Sequence, residues 1–166
     1  MAERADGSSE STAPIREEMV FLLTRGNAHM GFEDAVADFP EEAMNTPFPN
    51  GTYTPWHLLE HMRLTQWDIL EFSRDAKHKS PDWPGGYWPT KAAPPDEKAW
   101  DKSVRAFRRD LNALSALVAD ESTDLFAPIP HGTGQTILRE ALLAADHNAY
   151  HLGQLLLLRR LLGAWK

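Results

Sequence analysis

Two histidines, His147 and His151, stand four residues apart in DHNAYHLGQLLLLRR, a leucine-rich stretch near the C-terminus. A helix advances about 100° per residue, so residues four apart differ by about 40° and share a face. Two neutral imidazoles so spaced can hold one metal ion together. On a helical wheel the pair lies beside Leu143, Ala144, Leu155, Leu158 and Leu162. Gln154 shares that stripe, and Arg159 and Arg160 fall on the other sides. The pair therefore points toward a core and away from the solvated face. An isolated pair of this spacing is also what ordinary hydrogen-bonded core histidines produce by chance. A second pair, His57 and His61 in WHLLEHM, changes the balance. On its own wheel His61 falls with Leu58, Thr65 and Phe72 at the edge of the apolar face, and His57 turns further toward solvent. One inward histidine from this stretch completes a three-nitrogen set. Three protein donors with one position left free is the arrangement of a catalytic metal site rather than of a closed structural one. Neutral imidazole suits zinc, nickel, cobalt, iron or copper, and spacing does not choose among them. The residues alone also leave both His57 and His61 as possible third donors.

Four helices are needed to place these residues. The first reads from Ile15 through IREEMVFLLTRGNAHMGFEDAVADF, with Gly26 and Gly31 weakening a single straight helix and Pro40 ending it. Thr54-Pro55 reads as a cap followed by a proline at the first helical position, opening a second helix to about Asp75. A third runs from about Pro95 or Asp96 to Ala119, and a fourth from about Gln135 to Leu162, stopped by Gly163. No strand pattern competes, so the fold class is all-α, a four-helix bundle. Residues 1–13, small and polar, read as a disordered tail, and 14–166 as a single domain. The connection KHKSPDWPGGYWPTKAAPPDEKAW is too long and aromatic for a plain linker. Its Trp83, Tyr87 and Trp88, with Trp56, either line a pocket or pack the loop onto the helices.

The remaining histidines carry weaker signals. His29, in GNAHMGFED, and His57 could each relay a proton near a bound ligand, and they are the candidate catalytic residues. His131 lies on the loop before the fourth helix, and His78, in AKHKS, reads as solvated.

One histidine on the second helix and an H-x-x-x-H pair on the last make the chain resemble the DinB/YfiT-like superfamily, four-helix bundles regarded as metalloenzymes. The matching residues are His61 in LLEHM and His147 and His151 in DHNAYHLGQLLLLRR, and the trailing YHLGQL and arginines resemble the family's ending. The resemblance runs from about Ile15 to Gly163. It implies that His61, His147 and His151 bind a divalent transition metal, zinc or nickel ahead of iron, cobalt, manganese or copper. It also implies a small-molecule substrate and a low-molecular-weight thiol, in thiol transfer to a small electrophile. Hydrolysis by activated water is the next reaction. Relatives of this architecture often pair, so a homodimer is expected. The alternative is a non-catalytic bundle that binds a metal or a small stress-related ligand, or serves as a structural dimer.

Composition excludes other classes. The net charge is −7 with histidines neutral, and such a balance repels both nucleic acid and anionic lipid. The basic cluster RAFRRD at Arg105–Asp110 is interspersed with acids and reads as a solvated face. There is no cysteine, hence no thiolate ligand or nucleophile in the chain itself. The longest leucine run is Leu155–Leu158, against about 20 apolar residues for a membrane span. With a polar N-terminus, MAERADGSSESTAP, the expectation is a cytoplasmic protein without a membrane segment.

Overall fold

The computed structural model describes residues 11–25, 28–48 and 51–165. The expected disordered tail, residues 1–13, therefore lies outside the described residues as far as residue 10. Among the described residues five helices follow in order: α1 (Ala13–Arg25), α2 (Phe32–Val36), α3 (Pro55–Arg74), α4 (Ala99–Ala119) and α5 (Ile137–Leu161). One-turn 3-10 helices at Glu41–Ala43 and Gly85–Tyr87 sit in the connections. Among the described residues there is no strand, and the one isolated bridge pairs Pro128 with Thr136. The all-α expectation holds. The first helix differs: it is divided into α1 and α2. Gly31 is extended (φ −83°, ψ 177°) and caps α2, its N–H donating to Asp34 Oδ2 at 2.9 Å, so helical geometry has ended before that point.

Local chemistry accounts for the other boundaries. Thr54 caps α3, its Oγ1 accepting from the His57 N–H at 3.2 Å, and Pro55 occupies the first turn. Thr136 caps α5 by accepting from the Arg139 N–H at 3.1 Å. Gly163, at φ +64°, takes the left-handed conformation that ends α5, where a Cβ is disfavoured. α4 opens at Ala99, later than the expected start, because Asp96 spends its carbonyl and carboxylate on a turn with Ala99 and Lys98.

α3 packs against both α4 and α5, and α1 lies against α4. The apolar core is in two parts. One contains Leu58, Leu59 and Met62 of α3 with Leu152, Leu155 and Leu158 of α5. The other contains Ile69 and Leu70 of α3 with Ile137, Ala141 and Ala144 of α5. Within and between these stretches each helix carries polar residues: His61, Thr65 and Gln66 on α3, His147, Asn148 and His151 on α5. Asn148 Nδ2 donates to Gln66 Oε1 at 2.6 Å and Gln66 Nε2 to the Phe107 carbonyl at 2.8 Å, carrying the polar layer across to α4.

Arg159 departs from its wheel position. It is buried, 4 % exposed, and donates to four carbonyls: Asp34 at 2.9 Å, Ala35 at 3.0 Å, Ala37 at 2.6 Å and Ala164 at 2.9 Å. The end of α2 and the residues after α5 have no helical partners for these oxygens, and one guanidinium supplies them. Replacing Arg159 by Ala should lower the unfolding free energy by about 2–4 kcal/mol in urea titrations, since several buried carbonyls lose their donors. Lysine, with a point charge and no fork, should recover little of it. A loss under about 1 kcal/mol for Arg159→Ala would show that solvent replaces the guanidinium.

Candidate metal centre

The i, i+4 spacing on α5 brings His147 and His151 to one side of the helix, facing α3. There they meet His61. Its Nε2 lies 3.1 Å from His151 Nε2 and 3.0 Å from His147 Nε2. The donor atoms of the three rings lie within 4.8 Å of one another, and no further histidine or carboxylate joins the group among the described residues. Nitrogens bound to one tetrahedral ion at about 2.0–2.1 Å would stand roughly 3.3 Å apart, close to these separations.

The protons say more than the distances. His61 Nδ1–H donates to the Tyr87 carbonyl at 2.9 Å, and His151 Nδ1–H donates to Gln154 Oε1 at 2.9 Å. Each ring thus keeps its proton on Nδ1 and turns a bare Nε2 toward the other. Two lone pairs at that separation repel unless a cation or a proton lies between them. His147 Nδ1 is buried without a hydrogen-bond partner among the described residues, so its Nε2 is the only engaged atom of that ring. The donor set fits a divalent transition ion held by neutral imidazoles.

Burial keeps the rings neutral. Desolvation pulls His61 down to about 4, against the raising effect of its bond to the Tyr87 carbonyl, with a smaller push from His151. His147 is pulled down to about 3 by desolvation and then by the charges His151 and His61 would carry. His151 is lowered by burial too, in part offset by Gln154.

The long connection after α3 supplies the support for His61. Trp88 lies flat on the His61 ring at 3.8 Å and 4°, and Tyr53 stacks on the far side of Trp88 at 4.2 Å and 15°. The peptide that receives the His61 proton belongs to Tyr87, whose hydroxyl donates to Asp68 Oδ2 at 2.7 Å. Asp68 Oδ1 meets His78 Nε2 at 2.7 Å. Asp68 lies two turns beyond His61 on α3, so one helix carries both the ring and the anchor of its support.

The other candidate residues lie elsewhere. His57 is half-buried and tied to its own helix cap, its Nδ1 accepting from the Thr54 N–H at 3.2 Å. Of the two, His61 is the ring that lies with the α5 pair. His29 is exposed, with Nδ1 against the Met30 carbonyl, and is outside the cluster. His131 Nε2–H donates to the Phe72 carbonyl at 2.6 Å, closing the end of α3. His78 is not solvated as expected; its side chain is 8 % exposed because Asp68 and the edge of Trp67 hold it. Trp56 is a core residue and Trp83 stands 81 % exposed, leaving Trp88 as the tryptophan that meets the site. Asp68 and the accepting role of Gln154 were missed from sequence. An acid seven residues after an inward histidine, on the same helix face, was the signal for the first.

An all-α bundle with three convergent histidines from two helices defines the class of protein. The sequence profile of the DinB superfamily matches residues 27–155, and the chain belongs to that superfamily. No curated protein and no solved structure matches it significantly. No helix among the described residues is long and apolar enough to cross a membrane.

The depressed histidines set the acid response of the metal-free protein. Unfolded, each ring protonates at its ordinary 6.5, whereas folded His61 waits until about 4 and His147 until about 3. Below pH 6.5 the unfolded chain therefore binds the extra protons. Stability should be level near pH 7 and fall between pH 6.5 and 5, by up to about 1.4 kcal/mol per pH unit for each such ring. Urea titrations of chelator-treated protein that stay level across that window would show the rings to be hydrated.

Proposed function

We propose that His61, His147 and His151 hold one divalent transition-metal ion and that the protein is a metal-dependent enzyme acting on a small electrophile. Thiol transfer is the leading reaction, and hydrolysis is the variant in which water is the nucleophile. The observation that carries this is the pair of facing Nε2 atoms, 3.1 Å apart, whose protons are both held on Nδ1. When bound, the ion supplies the Lewis acidity that favours the deprotonated form of a thiol or of water at neutral pH. Three imidazole donors suit several divalent transition ions, and the family resemblance puts zinc or nickel ahead of the others.

The chain's own residues do the positioning. Tyr87 and Gln154 fix the tautomers, so both nitrogens offered are bare before any ion arrives, and little reorganisation is needed. Trp88 covers one face of His61 and keeps water from it. Three protein donors with no fourth histidine or carboxylate among the described residues favour an open site over the closed, structural alternative. Membership in the DinB superfamily supports the same reading.

Protein purified without a histidine tag should contain about one transition-metal ion per chain by elemental analysis. His61→Ala, His147→Ala and His151→Ala should each lose it, while His29→Ala and His131→Ala should retain it. Protein that carries no metal and takes up none on dialysis against zinc or nickel would end the proposal. Tyr87→Phe keeps the carbonyl but frees it from Asp68. It should weaken metal affinity by roughly 10-fold, as loss of a supporting bond commonly does, without changing the stoichiometry. Unchanged affinity would show that Asp68 serves only the loop.

A further inference from the structure

A cavity of about 430 Å³ adjoins the histidine cluster and shares His151 and Trp88 with it. Its apolar walls are Tyr53, Leu58, Trp88, Tyr150 and Leu157, and its polar lining is Thr52, His151 and Gln154. No lysine, arginine, aspartate or glutamate is among these described lining residues. The volume lies within the range of roughly 300–1,000 Å³ common for small-molecule sites. We propose that this cavity binds a neutral, flat, largely apolar small molecule, the electrophile of the reaction above. That the ligand is a substrate rests on the metal reading; that a neutral ring binds here does not.

Three observations converge on this class. Tyr53, Tyr150 and Leu157 stand 45 %, 65 % and 54 % exposed around one cavity, where isolated exposed apolar side chains would be unremarkable. A ligand seated among them removes that surface from water. Trp88 has both faces covered, by Tyr53 at 4.2 Å and by His61 at 3.8 Å, so it offers the cavity a rigid ring edge, against which a planar aromatic partner packs edge-to-face. Charge is the third. In the metal-free protein a carboxylate or phosphate entering here would give up its hydration with no cationic side chain to receive it, and the chain's net charge of −7 repels it at a distance; an ion on the three histidines would add positive charge beside the cavity, so the preference of the lining itself is read without it. A second cavity of about 330 Å³, between α3 and α4, makes the contrast, for its walls include Glu60, Arg63, Asp96 and Lys102. Gln154 and His151 give the cavity a polar side beside the cluster, with Thr52 as the other polar side chain of the lining. The bound molecule can therefore be apolar over most of its surface and carry one polar group at the end near the histidines.

The test is calorimetric titration of the full chain, as purified and after chelation, with 2-naphthol and with 2-naphthoate at pH 7. The two probes share one ring system and differ in charge. 2-Naphthol should bind to both preparations, and 2-naphthoate should bind the chelated one at least tenfold more weakly than 2-naphthol does. Leu157→Glu, at an exposed position, should weaken 2-naphthol at least tenfold and leave the metal content unchanged, and Tyr150→Ala should weaken it several-fold. His147→Ala should lose the metal and keep 2-naphthol binding. The inference is overturned if 2-naphthol does not bind, if 2-naphthoate binds the chelated protein as tightly, or if both wall variants bind like the parent. It is also overturned if His147→Ala loses the ring with the metal, since the cavity is then no site of its own. A protein that holds no metal yet binds 2-naphthol in the stated pattern separates the two proposals, removing the metal reading and leaving the cavity.

Discussion

Two imidazole nitrogens, each with its proton committed elsewhere, face one another at 3.1 Å inside an apolar bundle, and much of the molecule exists to keep them there. Left free, the rings would turn, exchange tautomers or hydrate. Each escape is closed by a different element. The helical repeat of α5 fixes the separation of His147 and His151. The Tyr87 carbonyl and Gln154 hold the Nδ1 protons. Trp88 blocks the flat side of His61. Because the Tyr87 peptide lies in a long connection rather than in a helix, that connection must itself be anchored, and Asp68 anchors it from α3. A carboxylate with no direct contact to the cluster is thereby tied, through Tyr87, to the carbonyl that takes the His61 proton.

The cost of this arrangement falls on the middle of the bundle. Thr65 Oγ1, His147 Nδ1 and Asn148 Oδ1 are buried without partners among the described residues, and all belong to the polar layer between the two apolar parts of the core. An unmet buried polar group costs about 1–3 kcal/mol. Apolar packing on either side of the layer offsets it, with Leu59 and Leu155 in one part and Leu70 and Leu114 in the other all wholly shielded. Arginines act at the periphery of those parts. Arg159 holds the end of α2 and the residues after α5. Arg16 donates to the carbonyls of Val118 at 2.7 Å, Asp120 at 2.9 Å and Thr123 at 2.6 Å, closing the end of α4. Stability is thus concentrated away from the layer where the chemistry is proposed, a distribution expected when a site must keep polar groups poised and not fully paired.

Periodicity made the helices legible because α3, α4 and α5 each bury one face, and the cap at Thr54-Pro55 could be placed to the residue. The histidine cluster was legible for the same reason: i, i+4 spacing plus an inward third ring needs only the helical repeat. What escaped was tertiary. Arg159 reads as a solvated residue beside Arg160, and nothing local shows that four orphan carbonyls from two distant stretches converge on it. His78 sits between lysines in AKHKS, yet a turn after α3 folds it back to Asp68. The division of the first helix was only half visible, because glycine weakens a helix without saying where it stops. The aromatic connection stood out in the sequence, with Trp88 and Tyr87 among its marked residues, but their action through one ring face and one backbone oxygen leaves no pattern there.

That connection also ties the site to the apolar cavity. Trp88 has His61 on one face and Tyr53 on the other, so its indole is at once the support of a donor ring and a wall of the cavity. His151 repeats the arrangement from α5, with Nε2 in the cluster and its ring beside Tyr150 at 4.8 Å. Neither residue can shift to make room in the cavity without displacing a nitrogen of the cluster, because stacked rings in van der Waals contact have no slack to absorb the motion. The contacts that hold Trp88 and His151 in place at the cluster therefore also set two walls of the cavity. A bundle built from long, straight helices would leave a histidine cluster at its centre isolated from the surface, and the stack of Tyr53, Trp88 and His61 is the path by which this one is not.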